Sequence, residues 1–174
     1  MRTTELSRTP RHATICALIC ALAAGFAAPA GTARAAGDAP EPLAAFPQSL
    51  LAIRTVAGRV VDFNIWIADT PRRDEQGLMF VRDMNDHAGM LFVFPGTEPL
   101  TMWMKNTYMS LDMVFIDARG RIDYIAAHTT PLSLTLISAP ALTHAVLELK
   151  GGICARDGIR VGDLVLQRSL GTAH

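Results

Sequence analysis

Apolar residues between positions 50 and 167 fall in short runs, and nearly every run is closed by a turn. This constrains the fold more than any other feature of the chain. Residues 50–56 and 60–67 flank Ala57-Gly58-Arg59 and read as a hairpin. In the second arm Phe63, Ile65 and Ile67 share one face, with Asp62, Asn64 and Trp66 on the other. Residues 90–94 are continuously apolar and stop at Pro95-Gly96, and residues 100–105 alternate. Residues 111–116 and 121–127 flank the turn Asp117-Ala118-Arg119-Gly120. Residues 145–150 end at Gly151-Gly152, and Val161-Gly162-Asp163 turns into 164–167. Helix signals are sparse. Thr70-Pro71 offers a capping hydroxyl and a proline at the first helical position, predicting a helix through Met79 that loosens near Gly77. Residues 153–157 fit one helical turn. The pattern predicts a mainly β domain of seven to eight strands with one or two short helices. A sandwich or a partly closed barrel is expected, because helix–strand alternation is too sparse for a doubly wound sheet.

The N-terminus has a different character. Arg2, Arg8 and Arg11 precede an uncharged run at 13–28, followed by Ala28-Pro29-Ala30 and Ala33-Arg34-Ala35. A basic head, a short apolar run and small-residue sites are the order of a secretory signal. Residues 1–35 are therefore expected to be cleaved near Ala35. The chain would be exported, periplasmic or extracellular, and no membrane span is expected after cleavage. Residues 36–48, with Pro40, Pro42 and Pro47, read as a flexible linker to a single domain at 49–170. The whole chain has 16 basic and 16 acidic residues. Cleavage would leave 16 − 4 = 12 bases and 16 − 1 = 15 acids, a net charge of −3. That balance gives no reason to expect a nucleic-acid partner. Cys16 and Cys20 would leave with the leader, so Cys154 has no internal disulfide partner. It reads as a small core residue, with a thiol nucleophile paired to His128 or His144 as the alternative.

Three segments are unusually dense: Gly77-Leu78-Met79, then GMLFVF at 89–94, then MWMKNTYMSLD at 102–112. With Thr70-Pro71, the LDMVFID run, VLEL and the late Gly-Asp, they resemble the bacterial and archaeal "domain of unknown function 192" family. The resemblance runs from Thr70 to Asp163 and implies a compact, mostly β, sandwich-like domain. It implies no activity. Lys150-Gly151 departs from the small apolar pair usual in that family.

Candidate site residues follow from strand alternation. Met102 and Met104 face one way and Trp103 and Lys105 the other. Leu111, Met113 and Phe115 oppose Asp112 and Val114. Placing the methionines, Leu111 and Phe115 in the core leaves Trp103, Lys105 and Asp112 on a second, mixed face, with Asn106 at the turn. Glu148 faces away from Leu147 and Leu149. An aromatic platform, a cation, acceptors and an amide suit a small polar ligand or an envelope component. Only two of the sixteen basic residues are lysines, and Lys105 is one. Other readings stand beside this one. Lys105 and Asp112 could form a structural ion pair. Asp112 and Glu148 could be the carboxyl pair of a hydrolase or lyase, with Lys105 assisting. Seven of the eight methionines lie between 79 and 113 and read as core filling, with a periplasmic copper-handling protein that uses their thioethers for copper(I) as the alternative. The histidines lack metal-ligand spacing, and no nucleotide-cradling loop is present, so no cofactor is expected. Arg72 and Arg73 read as solvated charges on the short helix. The oligomeric state is not legible.

Overall fold

The structure, a computed structural model, describes residues 39–172. The leader reading falls outside those residues. Nine strands occur within the described part: β1 (Gln48–Arg54), β2 (Val60–Ala68), β3 (Ala88–Glu98), β4 (Thr101–Met102), β5 (Leu111–Ile116), β6 (Ile122–Ala126), β7 (Ile137–Ser138), β8 (Thr143–Lys150) and β9 (Leu164–Leu166). Two short helices join them, α1 (Pro71–Gln76) and α2 (Ile153–Asp157). Seven strands form one sheet in the order β6-β5-β8-β3-β2-β1-β9, and β4 pairs with β7 in a second, small sheet. Neighbours in the large sheet are antiparallel except β2 and β3, which are parallel. A parallel pair needs a crossover, and α1 with the segment to residue 87 supplies it.

The sheet curls until its two edges meet. Val165 N–H donates to Gly120 O at 2.8 Å, and Ile122 N–H donates to Asp163 O at 2.9 Å. The result is a partly closed barrel, and the mainly β expectation holds. Alternation then sorts the core into two layers. Phe63, Ile65, Leu91, Val114, Leu147, Leu149 and Val165 pack inside the curl. Met90, Phe92, Leu111, Met113, Phe115 and Val146 pack outside it, beneath Leu78, Met84 and Met104. Thus β5 is buried at every position. The mixed, half-exposed face expected for it does not exist, because the central strands are covered on both sides.

Local chemistry sets the element ends. Thr70 accepts a hydrogen bond from Arg73 N–H and Pro71 opens α1, as the sequence predicts. The helix ends at Gln76, three residues before the expected end at Met79, and is capped by Gly77, whose φ of 48° and ψ of −133° suit glycine. The expected strand at 100–105 shrinks to two residues. In contrast, β3 runs through Pro95-Gly96, and its register with β8 shifts between Val93 and Glu98, where a missing proline donor costs no ladder bond. The proline-bearing segment read as a linker is, from Ala39 onward, laid against the domain. Phe46 is buried in the outer layer, and Arg73 holds the segment through Glu41 at 2.6 Å, Ala45 O at 2.9 Å and the Phe46 ring at 5.1 Å. Arg73 is therefore a tether rather than a solvated charge. Lys150 likewise bridges Asp83 at 2.9 Å and Asp86 at 3.3 Å, which accounts for a charge where an apolar residue is usual.

Candidate functional site

Glu148 sits mid-strand on β8, on the outer side of the sheet. Its cross-strand neighbours are Met90 on β3 and Met113 on β5, both fully buried. A carboxyl flanked by two thioethers is poorly solvated, and Glu148 is only 4% exposed. Among the described residues no side chain or backbone N–H donates to it, and burial alone pushes its pKa up to about 8. The ordinary way to bury a charge is to pair or hydrogen-bond it, and here neither is done.

The carboxyl faces a cavity of about 200 Å³. One wall comes from the end of α1 and its exit, with Asp74, Gly77, Leu78 and Met79. A second comes from Phe92 and Phe94 of β3. The third is Met102, Trp103, Lys105 and Thr107, following β4. All three dense sequence segments therefore meet here. Gly77 permits the approach of the first wall. A Cβ at this position would lie 3.0 Å from the Phe92 ring, so a larger residue would crowd that ring in a backbone conformation of φ 48° that already favours glycine. Asp74 adds a second strained carboxyl. Its Oδ1 is buried without a hydrogen bond, and burial, then Asp69, raises its pKa. At the mouth, Lys105 Nζ lies 4.8 Å above the Trp103 ring, whose residue is 40% exposed.

Of the residues singled out from sequence, Trp103, Lys105 and Glu148 come together. Asn106 does not line the cavity. It adopts a positive φ of 57°, accepts Phe80 N–H through its carbonyl, and directs its amide to Met79 Sδ at 3.7 Å. It shapes the loop behind the wall.

Asp112 is elsewhere. It pairs in register with Leu149, so it points inside the curl while Glu148 points out. It is completely buried and accepts three backbone N–H groups: His128 at 2.9 Å, Gly152 at 3.0 Å and Cys154 at 2.9 Å. That set ties the start of α2 and the β6 exit to β5. The expected Asp112–Lys105 ion pair is not formed, and Asp112 and Glu148 cannot act as a carboxyl pair across the sheet. The hydrolase or lyase arrangement drawn on them is thereby corrected. Cys154 lies in the inner layer, and burial with Asp112 beside it pushes its thiol pKa up, which keeps it unreactive. Met84, Met90, Met104, Met109 and Met113 are buried in the outer layer, whereas Met79 and Met102 reach the cavity.

Asp74, Thr107, Phe92 and Phe94 escaped the sequence reading. Strand alternation could have placed Phe92 and Phe94 with Glu148 had the β3–β8 register been known. Asp74 carried no signal beyond its position in the first turn of a helix.

The family model for DUF192, described as "Uncharacterized ACR", matches residues 52–166. Two solved structures are similar. One is a candidate transcription regulator of Sinorhizobium meliloti 1021, with 38% identity and a TM-score of 0.70, covering 71% of this chain and 96% of that one. The other is a protein of unknown function from Novosphingobium aromaticivorans DSM 12444, with 34% identity and a TM-score of 0.69, covering 79% and 99% respectively. No curated protein matches the chain.

Proposed function

The chain belongs to the DUF192 family, and from that premise we propose that it is an exported binding module that takes a small polar molecule into the cavity floored by Glu148. The observation that carries this reading is the Glu148 carboxyl itself, 4% exposed, unpartnered among the described residues and open to the cavity. A residue needed only for packing would be a methionine or leucine, as its neighbours are. Keeping an unsatisfied carboxyl there costs stability, and a bound molecule would recover that cost by supplying the missing hydrogen bonds. Apolar walls with a few convergent polar groups are the usual make-up of small-molecule sites. The cavity, at about 200 Å³, lies below the roughly 300–1,000 Å³ of sites for drug-sized ligands. The occupant is therefore small, either a free metabolite or a fragment of an envelope component.

Export rests on the basic, apolar and small-residue order of residues 1–35. The S. meliloti neighbour's designation as a regulator finds no support in a cleaved chain of net charge 12 − 15 = −3. A thermal-shift screen of small metabolites tests the binding reading. Hits should raise the melting temperature of the wild type and fail with the Trp103→Ala, Glu148→Gln double variant. Hits retained by that variant would put binding elsewhere and overturn the reading.

A further inference from the structure

We infer that the cavity's occupant is a small organic cation, an ammonium group on a short apolar body. This rests on the binding reading above and adds the sign of the charge. Asp74, Glu75 and Glu148 line the cavity as acids, and Lys105 is the base among the described lining residues. Glu148 is 4% exposed, lines the cavity and has no hydrogen-bond donor among the described residues, so one acceptor waits in a poorly solvated space, and Asp74 adds a second carboxyl to the lining. The base is already engaged, because Lys105 Nζ sits 4.8 Å above Trp103. That contact also shows the aromatic wall holding an ammonium group. Phe92 and Phe94 offer further rings deeper in. Aromatic faces attract cations, and a carboxylate out of water attracts them more strongly. An anion would meet three acids. A sugar would leave the aliphatic and aromatic walls largely unused. The volume of about 200 Å³ holds roughly seven water-sized groups at about 30 Å³ each, which is the size of a short alkylammonium ion.

Proton release follows from the surroundings of Glu148. Met90 and Met113 flank it on β3 and β5 and bring no charge. The helix side brings Asp74 and Glu75 and the β4 exit brings Lys105, while burial alone raises the Glu148 pKa. Lys150, next on the same face of β8, is held by Asp83 and Asp86. Without ligand the carboxyl keeps its proton up to about pH 8. An entering cation is paired by the carboxylate, and the proton leaves to solvent. Cation affinity therefore rises with pH and levels off above about 8. A neutral ligand that accepts the carboxyl proton would show the opposite slope.

Calorimetric titration of the intact chain with tetramethylammonium, propylammonium and choline tests this, with 3,3-dimethylbutan-1-ol as the uncharged isostere of choline. At about pH 8.5 at least one cation should bind roughly tenfold or more tightly than the isostere. Its affinity should fall by about tenfold per pH unit below the Glu148 midpoint. Heats in buffers of different ionisation enthalpy should report about one proton released near pH 6.5. Glu148→Gln should lose the preference for charge and the pH dependence while keeping its affinity for the isostere. If that variant fails to fold, proton release by the wild type decides alone. An isostere that binds as tightly as the cations overturns the inference but leaves the cavity reading standing. Failure of all four compounds also overturns the inference, and the metabolite screen then decides the cavity reading separately. Cation binding without proton release at pH 6.5 overturns it as well.

Discussion

Glu148 is the residue at which folding and the proposed binding pull apart. Its carboxyl has a pKa of about 8 in the folded chain against an ordinary value of 4.5. Below about pH 4.5 both folded and unfolded chains hold the proton, and the residue carries no ionisation penalty. Between 4.5 and about 8 the unfolded chain releases the proton and the folded chain keeps it, so stability falls as pH rises. Above that range the loss levels off. Each pH unit is worth ~1.4 kcal/mol, so the total is on the order of several kcal/mol. Glu148→Gln has no proton to lose. It should match the wild type near pH 4.5 and exceed it by several kcal/mol near pH 8. Urea unfolding across this range checks the expectation, and parallel curves for the two proteins would contradict it.

At the scale of elements, the same strand pair carries a carboxyl of the opposite kind. Asp112 has three backbone donors, and through them β5 holds α2 and the β6 exit. Asp112→Ala would take the acceptor from three backbone N–H groups, that of Cys154 buried and those of His128 and Gly152 part-buried, at a cost of roughly 3–5 kcal/mol in urea unfolding. A change below about 1 kcal/mol would mean that the clamp is dispensable. Much at this scale was legible in the sequence. The hairpin around Gly58, the Thr70 cap, β5 and the turn at Gly120 follow from alternation and turn chemistry. What was not legible depended on contacts distant in the chain. Asp112 was read as facing a mixed surface because one buried face was assumed, whereas covering layers bury both. Trp103, Lys105 and Glu148, singled out from sequence, line one cavity. Their meeting around one cavity, and the exclusion of Asp112, are set by the β8 register and by the crossover, which no local pattern encodes. The stretch between β6 and β8 carried no signal, because Leu132, Leu134 and Leu136 are exposed and mark no buried face.

On the scale of the whole molecule, the curled sheet supplies two separate interiors. The inner layer is satisfied by apolar packing and by Asp112. The outer layer is covered by α1, the β4–β7 pair and the N-terminal segment, and beneath that cover lies the cavity floored by the Glu148 carboxyl. The first serves stability, and the proposed binding belongs to the second. Export belongs at this scale too, since a fusion of residues 1–35 to a reporter should be secreted and trimmed near Ala35. A reporter that stays inside the cell would refute the leader reading. The central claim is that Glu148 stands buried, without a hydrogen-bond donor among the described residues, facing the cavity. The most direct measurement is a pH titration of its side-chain carbon by NMR in ¹³C-glutamate-labelled protein, assigned by loss of the signal in Glu148→Gln. The account predicts a midpoint near 8, and a midpoint near the ordinary 4.5 would contradict it.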